Sequence, residues 1–142
     1  MRLAVVAAGK LRDAGLSTLC AEYMLRIQPF CPCDLIESRD LPALRTQLAR
    51  HDGPTVTVLL DERGEQLTSR ELADRLAGWR ARGRVRLAIG DADGFSDRDR
   101  AGADHLLALS RLTLPHRLVR VLVLEQLYRA LTLAAGHPYH RD

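Results

Sequence analysis

Two hydrophobic periods take turns along this sequence, and few folds accommodate both. Leu3-Ala4-Val5-Val6-Ala7-Ala8 is a short apolar run closed by Gly9, as expected of a strand buried on both faces. Leu16, Leu19, Cys20, Tyr23, Met24 and Ile27 then recur at helical steps until Pro29 stops the pattern. Asp34 to Glu37 reads as a short strand, and Leu41, Leu44 and Leu48 place a helix between Leu41 and Arg50. The β-branched run Thr55-Val56-Thr57-Val58-Leu59-Leu60 is the clearest strand, bounded by Gly53-Pro54 before it and Asp61-Glu62-Arg63-Gly64 after it. Thr68 and Glu71 make a capping box for a helix that carries Leu72, Leu76 and Trp79 and closes at Gly83. Val85 to Ile89 is the next strand, Ser96 or Asp97 caps a helix to about Ala103, and Leu106 to Leu109 is the last strand. The final helix spans about Leu118 to Ala135.

Strands joined through helices rather than tight turns run parallel, so the expected fold is α/β, a mostly parallel sheet with helices on both faces. The length of 142 residues, with 46% hydrophobic and 27% charged, suits a single domain over 1–142. No apolar stretch approaches the roughly 20 residues of a membrane helix, and no signal-peptide pattern opens the chain, so a soluble cytoplasmic protein is expected. Cys20, Cys31 and Cys33 are too few for a disulfide scaffold, and Cys31-Pro32-Cys33 lacks the spacing of a zinc knuckle, so no metal is expected. The last helix is apolar almost all round, interrupted by Arg120, Glu125, Gln126 and Arg129. A small domain cannot bury such a helix alone, and a second copy is the simplest cover.

The formal charge of +3 is an average over unlike parts. Between Asp61 and Asp104 acids slightly outnumber arginines and lie between them, as on a solvated face. From Leu109 onward Arg111, Arg117, Arg120, Arg129 and Arg141, with His116, His137 and His140, face only Glu125 and Asp142. Arginine forks suit phosphate and stacked bases, which points the C-terminal third toward a nucleic acid.

Ligands of open parallel sheets bind beyond the carboxyl ends of strands, here Leu60-Asp61, Ile89-Gly90 and Leu109-Ser110. Gly90-Asp91-Ala92-Asp93-Gly94 lacks the spacing of a dinucleotide or P-loop motif and reads equally as a turn or a ligand loop. Ser110 to His116 reads as a helix start with Pro115 near its first position, or as backbone free to pair with an adenine or ribose. Tyr139, His140 and Arg141 offer stacking, a titrating ring and a phosphate fork, although short termini are often frayed. Glu125 and Arg129, four apart, are either a plain ion pair or the edge of a cavity or interface.

Taken together, Ile89-Gly90, Gly94-Phe95, the run from Leu109 to Leu122, Glu125-Gln126-Leu127-Tyr128-Arg129-Ala130 and His137-Pro138-Tyr139-His140-Arg141 resemble the ribosomal large-subunit methyltransferase H family. The likeness spans the chain and is most specific over its last third. It implies a SPOUT-class enzyme that uses S-adenosylmethionine to methylate N3 of a pseudouridine in 23S ribosomal RNA. It also implies a homodimer and a C-terminal trefoil knot, which no periodicity could reveal. By this resemblance Leu60, Gly90, Leu109, Ser110, Arg111, Leu112, Thr113 and Leu114 hold the cofactor. Glu125, Arg129, Tyr139, His140 and Arg141 meet the pseudouridine, with the partner subunit completing the site. Arg129 and Arg141 would hold phosphate or the developing base anion, Tyr139 would position the ring, and His140 would assist removal of the N3 proton. Two features depart from the family. Asp91 stands where a second glycine is usual, and the segment after Ile36 is shorter. The rival readings are a non-catalytic ribosome-associated RNA-binding module with a degraded cofactor pocket, and a flavodoxin-like regulatory domain.

Overall fold

The alternation of periods builds one parallel sheet of strand order β2-β1-β4-β3-β5. In the computed structural model, which describes residues 2–142, the strands are β1 (Leu3–Ala8), β2 (Cys33–Ser38), β3 (Thr55–Gln66), β4 (Arg84–Ile89) and β5 (His105–Ala108). The helices between and after them are α1 (Ala14–Ile27), α2 (Leu41–Leu48), α3 (Ser69–Arg82), α4 (Asp97–Gly102) and α5 (His116–Ala134). In the centre Val5 pairs with Leu87, and Leu87 with Val58, so three apolar residues lie side by side across the sheet.

Side chains alternate between the two faces as strand geometry requires. Leu3, Val5 and Ala7 of β1, Val56 and Val58 of β3, and Val85, Leu87 and Ile89 of β4 pack with α1, α3 and α5. Val6, Ala8, Leu59 and Ala88 point the other way, onto Leu41 and Leu44 of α2 and onto Phe95. Arg86 is a polar exception in this buried set. It donates to the backbone carbonyls of Gln47, Leu48 and Arg50 at 2.8–3.0 Å, satisfying acceptors that the end of α2 leaves open.

Helix starts follow the expected chemistry. Thr68 and Glu71 complete a reciprocal capping box at α3, and Ser96 with Asp99 makes a second at α4. Asp13 caps α1 by accepting from the Leu16 amide at 3.0 Å. α5 ends in a Schellman turn, in which His137 N–H donates to Thr132 O and Gly136 N–H to Leu133 O, with Gly136 at φ +73°.

The one large difference from the sequence expectation lies in β3. It does not stop at Leu60 but resumes pairing at Glu65 and Gln66, so Leu107 of β5 is a register partner of both Leu60 and Glu65. The polar residues between are an excursion inside the strand, held by a hydrogen bond from Arg63 N–H to Asp61 Oδ1 at 2.8 Å. Gly64 lies directly against the backbone of β5 there, since a Cβ on it would be 2.6 Å from Leu107 N and 2.7 Å from Leu106 C. β5 starts one residue earlier than expected and α5 two.

Candidate functional site

The three strand ends singled out by the sequence converge. A cavity of about 430 Å³ opens beyond β3, β4 and β5, lined by Leu60 to Glu62, Ile89 to Gly94, Leu107, Leu109, Ser110 and Leu112 to His116, with Arg100 and Val119. Of the expected cofactor residues, Leu60, Gly90, Leu109, Ser110, Leu112, Thr113 and Leu114 are on this wall. Arg111 is not among the lining residues and is exposed to solvent.

Local bonding shapes each segment of the wall. Gly90 is buried with the Phe95 ring beneath it, where a Cβ would come to 3.4 Å of two ring carbons. Asp91 to Gly94 is closed by the Gly94 amide on Asp91 O at 3.0 Å, with Gly94 at φ +76°. The Asp91 carboxylate is folded back into this turn, where Oδ1 accepts from the Asp93 amide at 3.0 Å. Ser110 does the same for its own loop, its hydroxyl accepting from the Leu112 amide at 2.9 Å. Asp61 is almost closed off, with 4% of its side chain exposed, and Arg100 donates to it through Nε at 2.8 Å. Apolar side chains and turn backbone therefore make most of the wall.

The second set of candidates forms a separate cluster on α5 and the tail. Arg129 donates to Glu125 Oε1 through Nε at 3.0 Å and Nη2 at 2.7 Å, and Tyr139 OH donates to the same oxygen at 3.0 Å. The Arg129 guanidinium sits over the Tyr139 ring, 4.8 Å from its centroid. His140 has 9% of its side chain exposed, with Nδ1 3.1 Å from Arg129 Nη1 and Nε2 2.8 Å from Asp142 Oδ1, so both ring nitrogens are engaged. Arg141 is exposed. The tail is docked rather than frayed: the Tyr139 ring packs edge-on against Tyr128 with centroids 4.5 Å apart, and His137 packs against Phe30. Burial, and hydrogen bonding with Tyr23 and Glu125, push the Tyr139 phenol above its ordinary range. Glu125 in turn holds the Arg129 guanidinium more firmly charged.

Tyr23, Arg70 and Asp142 belong to this cluster, yet sequence reasoning passed over them. Tyr23 counted only as part of the apolar stripe of α1, although its hydroxyl marks it as a residue that needs a polar partner when buried. Arg70 lies inside the Thr68–Glu71 capping box and carries no signal of its own. A smaller hollow of about 200 Å³ at the opposite strand ends is lined by Arg2, Arg50, Arg84 and Arg86, together with Asp34 and Asp52. Arg2 is bonded to Asp34 and Arg86 to the α2 carbonyls, so much of that positive charge is satisfied within the chain.

The family whose model is described as "Predicted SPOUT methyltransferase" matches residues 1–140. The sequence is also 45% identical to the ribosomal RNA large subunit methyltransferase H of Thermus thermophilus over 141 residues, covering 99% of each chain. The chain belongs to the ribosomal RNA large subunit methyltransferase H family. A relative of the same name from Methylorubrum populi is 42% identical over 160 residues, covering 99% of this chain and 97% of its own. Among solved structures, one described as a probable methylase family protein from Haemophilus influenzae superimposes with a TM-score of 0.59 at 12% identity, over 99% of this chain and 70% of that one. That likeness concerns the fold alone.

Proposed function

We propose that this protein is an S-adenosylmethionine-dependent methyltransferase that methylates N3 of a pseudouridine in 23S ribosomal RNA, acting in the cytoplasm as a homodimer. The observation that carries the reading is the cavity at the ends of β3, β4 and β5, in a chain that belongs to a ribosomal RNA methyltransferase family. The lining fits such a cofactor: Leu60, Ile89, Leu109, Leu114 and Val119 supply apolar surface for an adenine. The loops from Gly90 to Gly94 and from Leu109 to Leu114 supply backbone donors and acceptors for a ribose and a carboxylate, and Glu62 and Asp93 put negative charge near a cationic ligand. When bound, the cofactor supplies a methyl group on a positively charged sulfur.

What falls to the protein is alignment of donor and acceptor and stabilisation of charge on the base. Arg129 and Arg141 bring cationic forks, Tyr139 a ring face, and Glu125 the acceptor that gathers Arg129 and Tyr139. These groups do not reach the cavity of their own chain by the shortest path. From His116, on the cavity wall, Glu125 and Arg129 lie nine and thirteen residues along continuous helix, about 14 and 20 Å at the helical rise. A second subunit that lays its tail across the cavity closes that gap. Leu112 on the wall is 75% exposed, and Leu118 and Leu122, one turn apart on α5, are 42% and 39% exposed, an apolar surface suited to the partner.

The trefoil knot implied by the resemblance belongs to the same reading, and the return of β3 to β5 at Glu65 and Gln66 is compatible with it. A degraded cofactor pocket has little in its favour, because Asp91 spends its carboxylate on the Asp93 amide. Mass spectrometry of 23S ribosomal RNA from a strain lacking the gene tests substrate and reaction together. The expected result is loss of one methyl from a pseudouridine, restored by the cloned gene; an unchanged methylation map would remove the reading.

A further inference from the structure

The last residue of the chain ties the tail to a different helix. Asp142 Oδ1 and Oδ2 accept from Arg70 Nε and Nη2 at 3.2 and 2.7 Å, a two-point ion pair with the first turn of α3. The same Oδ1 lies 2.8 Å from His140 Nε2, whose ring reaches Arg129 on its other side. A guanidinium nitrogen can only donate, so Nδ1 is the acceptor in the contact with Arg129. The single proton of a neutral ring then sits on Nε2 and is donated to Asp142. Arg70, Asp142, His140, Arg129 and Glu125 thus form one unbroken series of hydrogen bonds.

We propose that Arg70 and Asp142 are positioning residues for methylation: their ion pair holds His140 as the Nε2–H tautomer, and His140 so held aims the Arg129 guanidinium. This rests on the function proposed above, in which Arg129 serves the substrate. Neither Arg70 nor Asp142 lines the cofactor cavity, so they act through their neighbours. The outer end of the series is open to water, with 60% of the Arg70 and 71% of the Asp142 side chain exposed, while the His140 end is mostly covered. An ion pair so exposed adds little to folding stability, so its removal leaves a folded protein whose tail is aimed less well. While the series is closed, His140 has no free nitrogen to take a proton from a base, which makes it an orienting group rather than the proton acceptor.

The test combines ¹⁵N NMR of the histidine-labelled full-length protein with methylation kinetics on ribosomes prepared from a strain lacking the gene. Wild type should show a protonated Nε2 and a bare Nδ1 at His140. Asp142→Ala and Arg70→Ala should each mix the tautomers and lower kcat between about 10- and 100-fold, the scale of a misplaced catalytic group. Their affinity for S-adenosylmethionine should stay that of wild type, and Asp142→Glu should restore both tautomer and rate. A tautomer unchanged in both alanine variants overturns the proposal, as does a mixed tautomer with an unaltered kcat. A wild-type protein that shows the Nε2–H ring but methylates no ribosome overturns the proposed function instead, because the histidine spectrum reads the series independently of turnover.

Discussion

Gly64 lies against the backbone of Leu107, so close that a single added methyl would sit 2.6 Å from its amide nitrogen. The position demands glycine because two backbones approach closely there, and the contact is with peptide atoms that cannot rotate aside. Gly64→Ala should therefore destabilise by about 1–3 kcal/mol, as overpacking does. Gly78, in the exposed middle of α3, is the control, with no atom within 4 Å of an added Cβ. Gly78→Ala should stabilise by about 0.5–1 kcal/mol through helix propensity alone. Urea midpoints of the two variants should move in opposite directions; equal shifts would contradict the close approach.

The same stretch of β3 also marks the limit of what the sequence reveals. The alternation of periods predicted all five strands, most directly β1 and β4, which are short and apolar because both faces are buried, and the helix caps at Thr68 and Ser96 follow from local chemistry alone. The return of β3 to β5 at Glu65 and Gln66 could not be read, since exposed polar residues pair by backbone and leave no hydrophobic trace. Arg120 is a similar case. In sequence it merely interrupts an apolar helix, whereas its buried guanidinium donates to the carbonyls of Ala8 and Gly9 and to Glu37, joining α5 to the end of β1. The strand ends around the cavity were legible from fold-level rules, but the link from Asp142 to Arg70 spans 72 residues and carries no local signal.

Arg45 holds the Asp99 carboxyl well below the usual carboxylate range, with help from the Ser96 amide and hydroxyl. The pair joins α2 to α4, and the Asp99 side chain is only 14% exposed. A carboxylate whose folded pKa is depressed contributes stability above its unfolded value of about 3.9 and loses it as pH falls toward the folded one. Asp99→Asn should cost about 1–2 kcal/mol at pH 7, the worth of charged hydrogen bonds. Urea unfolding at pH 7 and pH 3 checks the sign: the gap between wild type and variant should be smaller at pH 3.

Asp91 is the wall residue most open to suspicion, a carboxylate on the lining of the cavity proposed to hold the cofactor. Its Oδ1 already accepts the Asp93 amide within the turn, so that oxygen is engaged inside the loop. Asp91→Gly should leave the affinity for S-adenosylmethionine equal or tighter in calorimetric titration. A tenfold loss would mean that the carboxylate makes a contact the cofactor needs.

The proposed division of one site between two subunits would have a consequence that no single-chain site shares. Thr113→Arg, at an exposed position of the wall, should block the cavity and spare the tail. Arg129→Ala should spare the cavity and disable the tail, removing the partner of Glu125 and His140. Each variant alone should be inactive on ribosomes, with Arg129→Ala still binding the cofactor. Mixed after unfolding and refolding together, half of the dimers pair one variant with the other, and one of their two sites unites an intact cavity with an intact tail. Activity should then return to about a quarter of wild type, the value set by random pairing in a two-fold dimer. If the tail served its own cavity, the mixture would stay as inactive as its components, because no chain in it carries both intact parts.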